Sequence, residues 1–93
     1  MMSQEDMTLL DKFIREAIFT EQERVGRSDR SLGQQAFGFL KTPHMKMQSI
    51  KGGGGKIPQQ LRFADIVNLC EALGLNWVDV CREALKAVKA AGR

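Results

Sequence analysis

Few side chains in this 93-residue chain are of a kind that does chemistry. There is one histidine, His44, and two cysteines, Cys70 and Cys81; a run of four glycines lies between Lys51 and Lys56. A zinc site built from Cys and His needs four ligands at recognisable spacings, and these three residues fall short. Two cysteines cannot make a disulfide framework either, so two reduced, half-buried thiols are expected. His44 has no acid close in sequence to orient it as a general base; Asp29 is the nearest in the surrounding segment. Neither a Ser-His-Asp nor a Cys-His site is foreshadowed. The chain therefore reads as a non-enzyme with no metal, no cofactor and no small-molecule substrate. The glycine tract fails as a nucleotide loop, which needs Lys followed by Ser or Thr between a strand and a helix. Here Ile57 follows Lys56 and no strand precedes. Two readings of it stay open: a phosphate contact through bare backbone N–H groups and the flanking lysines, or a plain flexible linker.

Charge is the stronger signal. Residues 1–23 carry two basic side chains against six acidic ones, and residues 63–93 carry four of each. The middle, 24–62, holds eight basic side chains against the single acid Asp29, an excess of +7 in a chain whose net charge is only +3. Such a local excess is the footprint expected of a face that binds a polyanion. The alternative on charge alone is a solvated loop region that happens to be basic.

The elements that must position these residues follow from hydrophobic spacing. Leu, Ala, Glu, Gln, Lys and Arg are plentiful, which favours helix over sheet. Apolar residues from Met7 to about Val25 trace one helical stripe, stopped by Gly26. Thr20 and Glu23 have capping-box spacing and could restart it. Ser31 and Gln34 announce a second helix that ends near Gly38. Thr42 and Pro43 open a third, closed by Gly52. A fourth spans about Leu61 to Leu73, with Phe63 on its apolar side and Gly74 as its stop. Asn76 and Asp79 open a fifth, with Trp77, Val78, Cys81, Leu85 and Val88 on the buried side. The expected architecture is all-α: one compact five-helix domain over residues 1–93, structured over about 7–90. No apolar run reaches the ~20 residues of a membrane span, and the acidic start lacks a secretory pattern, which points to the cytoplasm.

On the third helix, Met47 and Ile50 lie three apart and face inward. A step of about 100° per residue turns Met45, Gln48 and Ser49 outward, with His44 at the edge. Exposed Gln, Ser and His can hydrogen-bond base edges, and Met can touch a thymine methyl. Ser31-Leu-Gly-Gln-Gln-Ala36, Met47-Gln-Ser-Ile-Lys-Gly52 and the stretch Leu61 to Leu75 together resemble the lambda repressor-like helix-turn-helix domains of phage repressors and Cro. In the resemblance, Ala36 is the small residue of the bracing helix, and Met47 and Ile50 anchor the reading helix. The chain departs from the pattern at Phe39-Leu-Lys41, where a tight glycine turn is usual, and in its tetraglycine. The resemblance implies a phage- or plasmid-type transcriptional repressor that binds operator DNA as a homodimer. Base contacts would come from His44, Met45, Gln48 and Ser49. Phosphate contacts would come from Arg30, Ser31, Gln34, Lys41, Thr42, Lys46, Lys51 and Lys56. The fifth helix is the expected dimer contact, through Trp77, Val78, Leu85 and Val88. The competing reading is a small helical protein-interaction module, an antirepressor or inhibitor, that keeps the fold without DNA binding.

Overall fold

A computed structural model describes residues 1–55 and 57–91. Among them the chain forms α1 (Gln4–Arg24), α2 (Asp29–Phe37), α3 (Pro43–Lys51), a short 3-10 turn (Gly53–Gly55), α4 (Phe63–Leu73) and α5 (Trp77–Ala91), with no strand. Among the described residues no helix is long and apolar enough to cross a membrane.

Local chemistry explains where each helix begins. α1 starts earlier than Met7 because Ser3 and Asp6 form a reciprocal capping box: the Ser3 hydroxyl accepts from Asp6 N–H and the Asp6 carboxylate from Ser3 N–H. It then runs unbroken past Thr20 and Glu23. α2 is capped by Ser28 rather than Ser31, since the Ser28 hydroxyl accepts from Ser31 N–H at 3.1 Å. The buried Gln22 amide holds that start in place, donating to Arg27 C=O at 3.0 Å and to Asp29 Oδ1 at 2.8 Å. Pro43 opens α3 as expected, although the Thr42 side chain makes no cap bond. α4 begins two residues after Leu61 because the Asp65 carboxylate accepts from Arg62 N–H at 3.1 Å. Asn76 Oδ1 accepts from Val78 and Asp79 N–H to open α5. Gly26, Gly52 and Gly74 end their helices at φ of 71°, 75° and 74°, a backbone region that side chains strongly disfavour.

α1 packs along α5, and α2 packs along α3 and against α4. The fully buried side chains where these faces meet include Ile18, Leu32, Phe37, Met47, Ile50 and Leu69. Each contributes roughly 1.5–3 kcal/mol of hydrophobic stabilisation. Three expected core residues lie outside. Phe63 is 63% exposed at the start of α4, and on α5 Val78 and Leu85 lie at the surface while Val88, as expected, and Ala84 are buried. The chain is fastened on both sides of the tetraglycine connection. The Arg15 guanidinium, paired with Asp11, donates to the carbonyls of Ile50 and Gln59. Gln59 N–H donates to Ser49 C=O at 2.7 Å, and Leu61 N–H donates to the Asp11 carboxylate at 3.1 Å.

Both cysteines are free; Cys70 is buried and Cys81 half-buried. Burial, helped by the neighbouring Cys81, pushes the Cys70 thiol up to about 11, and burial raises Cys81 as well. The thiolate is the reactive form. At pH 7.5, Cys70 is therefore expected to stay unlabelled by iodoacetamide in the native protein and to react once urea unfolds it. Rapid native labelling at Cys70, read by mass spectrometry, would contradict its placement.

Candidate nucleic-acid interface

α3 is held down by Met47 and Ile50, 1% and 0% exposed. It packs tightly on α2 at Gly33. A Cβ there would stand 2.6 Å from Met47 Cγ and 3.3 Å from the Pro43 carbonyl. Gly33 is thus a small residue that lets the two helices meet, and Ala36, one turn on, is buried in the core. With that face fixed, helical geometry turns His44, Met45, Gln48 and Ser49 outward, and all four are exposed. The 3-10 glycine turn lies beside Gln48, since a Cβ at Gly53 would be 3.7 Å from Gln48 Cβ and Cγ.

The basic residues divide differently from the expectation. Lys46 is drawn inward: its ammonium lies 3.3 Å from the buried Asp65 carboxylate and 3.3 Å from Gln59 Oε1, with 17% of the side chain exposed. The Phe37 ring lies beneath it at 5.8 Å. Lys51 donates to Asp29 Oδ1 at 2.6 Å and Gln22 Oε1 at 2.8 Å, and sits over the Phe19 ring at 4.5 Å. Both lysines thus pair with groups of the domain, Lys46 with α4 and Lys51 with α1 and α2. The Lys51 ammonium and Gln22 amide hold the Asp29 carboxyl below its ordinary value. Its contribution to stability is complete above the ordinary aspartate range and is lost as pH falls through that lowered value. Ser31 is engaged too, because Arg27 donates to its hydroxyl and carbonyl and, through Nη1, to Ala72 C=O at 2.7 Å.

Arg30, Gln34, Lys41 and Thr42 are exposed, whereas Lys56 lies outside the described residues. Among the described residues, Arg30 and Lys41 take part in no ion pair. The same holds for Arg62, a member of the basic 24–62 segment that is exposed at the start of α4 and was not among the expected phosphate contacts. Phe39 and Leu40, where the chain departs from the usual glycine turn, are not among the expected contact residues. They stand exposed in the turn before α3, with Phe39 75% accessible and edge-on to Phe37 at 6.5 Å. An apolar pair inside a Gly-to-Pro turn was the available signal.

The α5 residues expected at a dimer contact separate into two groups. Val88 is 3% exposed and belongs to the interior, and Trp77 is half-buried, edge-on to Phe63 at 5.1 Å. Only Val78 and Leu85 remain at the surface, seven positions apart and so on one side of the helix. Compared with family models, with curated proteins and with solved structures, the chain matches none.

Proposed function

We propose that α2 and α3 act as a helix-turn-helix of the lambda repressor-like type, and that the chain is a sequence-specific DNA-binding regulator working as a repressor on operator DNA. The observation that carries this reading is the exposure of His44, Met45, Gln48 and Ser49 together on α3, above a Met47–Ile50 face that cannot rotate. Gln48 and Ser49 offer donors and acceptors to base edges, and Met45, with Phe39 and Leu40, offers apolar contact to thymine methyl groups. Arg30, Lys41 and Arg62 supply the mobile positive charge for phosphates. One such domain touches few base pairs, so a dimer on two half-sites a helical turn apart belongs to the same proposal. Val78 and Leu85 are its candidate contact.

The test is fluorescence anisotropy on DNA from upstream of the gene, across a salt series. With three phosphate contacts per domain and two domains on the DNA, the slope of log K against log salt is expected near −5, roughly −0.9 per contact. Lys41→Ala removes one contact from each domain, so it should lower the slope by about two units and weaken all sequences alike. Gln48→Ala should leave stability unchanged and relax discrimination at particular base pairs by ~1–3 kcal/mol. Salt-insensitive binding, or full discrimination by Gln48→Ala, would overturn the proposal.

A further inference from the structure

A groove of about 580 Å³ runs between α1 and α5, and none of its lining comes from α2 or α3. Its floor is apolar and made of small or half-buried residues: Phe13, Ala17, Val80, Ala84 and Ala87. The alanines explain why two helices that pack together leave a trough rather than a sealed seam, because neither side fills the space between the backbones. Its rim is acidic: Glu16, Glu21, Asp79 and Glu83 line it, with no lysine or arginine.

We infer that this groove is a docking site for a basic amphipathic helical segment of a partner protein, with apolar anchors on the alanine floor and Lys or Arg at the rim. Length fits this occupant. The lining extends along α1 from Phe13 to Glu21 and along α5 from Asp79 to Ala87. That is about 12 Å of helix, or two turns, room for two anchors spaced i, i+4. Charge selects the sign. Glu21, Asp79 and Glu83 have partners on their own helices in Arg24, Arg82 and Lys86, whereas Glu16 has none among the described residues. The Asp79 and Glu83 pairs are long and solvent-exposed, so they leave most of the carboxylate charge available to a ligand. A second copy of this chain is a poor occupant. A symmetric pair would set the same four carboxylates against themselves, and like charges across an interface are unfavourable. Nucleic acid and anionic lipid are disfavoured by the same sign. The groove also leaves α5 free on its other side. Val80, Ala84 and Ala87 lie half a helical turn from Val78 and Leu85, so docking and the proposed dimer contact do not compete.

The probe is a short fluorescein-labelled peptide of Leu and Lys with helical spacing, compared with its Leu/Glu counterpart. The Leu/Lys peptide is expected to bind saturably, more weakly as salt rises, and to shift the amide resonances of Ala17, Val80 and Ala84 while sparing α3. The Glu16→Lys/Glu83→Lys variant changes only exposed side chains, and its fold is checked by circular dichroism. It should bind the Leu/Lys peptide about tenfold more weakly. Three results would overturn the inference: no saturable binding, equal binding of the Leu/Glu peptide, or an unchanged affinity in the charge-reversed variant. Self-association in sedimentation that the same variant relieves would overturn it as well, by assigning the groove to a second copy. None of these readings involves DNA, so the regulator proposal stands or falls separately.

Discussion

Asp65→Ala is expected to destabilise the domain by about 3 kcal/mol, the cost of breaking a buried ion pair by removing one partner. Asp65 is buried, and its Oδ2 both faces the Lys46 ammonium at 3.3 Å and accepts from Arg62 N–H at 3.1 Å. Alanine removes the charge partner and the α4 cap together. Lys46 would be left with only Gln59 Oε1 and the face of Phe37 to replace its hydration. The double variant Asp65→Leu/Lys46→Met separates these effects, since exchanging both partners for apolar groups is often close to neutral. It should recover more than half of the loss, and the remainder is the missing cap, worth about 1 kcal/mol. Urea unfolding of the three proteins measures this. A loss below about 1 kcal/mol for Asp65→Ala would mean that water screens the pair and that Lys46 is available for a phosphate after all.

Much of the fold was legible in the sequence because it rests on local signals. Hydrophobic spacing of three and four marks the helices, and the glycine stops at 26, 52 and 74 are single-residue backbone effects. Even the helix starts erred by only a few residues, where one of two serines or a carboxylate capped first. The outward residues of α3 followed from Met47 and Ile50 for the same reason. What could not be read locally was which charges find partners. Lys46 meets Asp65, and Lys51 meets Asp29 and Gln22, from other elements of the fold. Counting charge along the chain therefore overstated the free positive face. The two α3 lysines instead tie the helix on one flank to α4 and on the other to the α1–α2 turn. The exposure of Val78 and Leu85 on α5 was hidden for a related reason. Its many apolar residues allow buried faces of different width, and contact with α1 and α4 covers Ala84 and Val88 while leaving those two outside.

Gly33→Val should cost about 3 kcal/mol, although glycine is ordinarily the poorer residue in a helix. An alanine in mid-helix is worth up to ~1 kcal/mol over glycine, so a gain would be expected if position 33 had space. It has none. The new Cβ falls 2.6 Å from Met47 Cγ and 3.3 Å from the Pro43 carbonyl. Cγ is near the base of the methionine side chain and the carbonyl is backbone, so relief requires α3 to move away from α2. Overpacking of this kind typically costs 1–3 kcal/mol, and the branched valine stands at the upper end. Gly33→Ala meets the same contact with less bulk and should lose about 1 kcal/mol net. The pairing with Met47 can be measured directly. Met47→Ala alone leaves a cavity and loses about 2–5 kcal/mol, but in the Gly33→Val background it removes the clash as well. The two losses should then fall short of additivity by at least ~1 kcal/mol. Strict additivity, or a Gly33→Val domain as stable as the parent, would show that the helices are not in contact at this point. The same displacement moves His44 and Gln48 relative to Arg30, so on the proposed reading of α3 as a DNA-contacting helix, discrimination by Gly33→Ala should fall even where most of the protein remains folded.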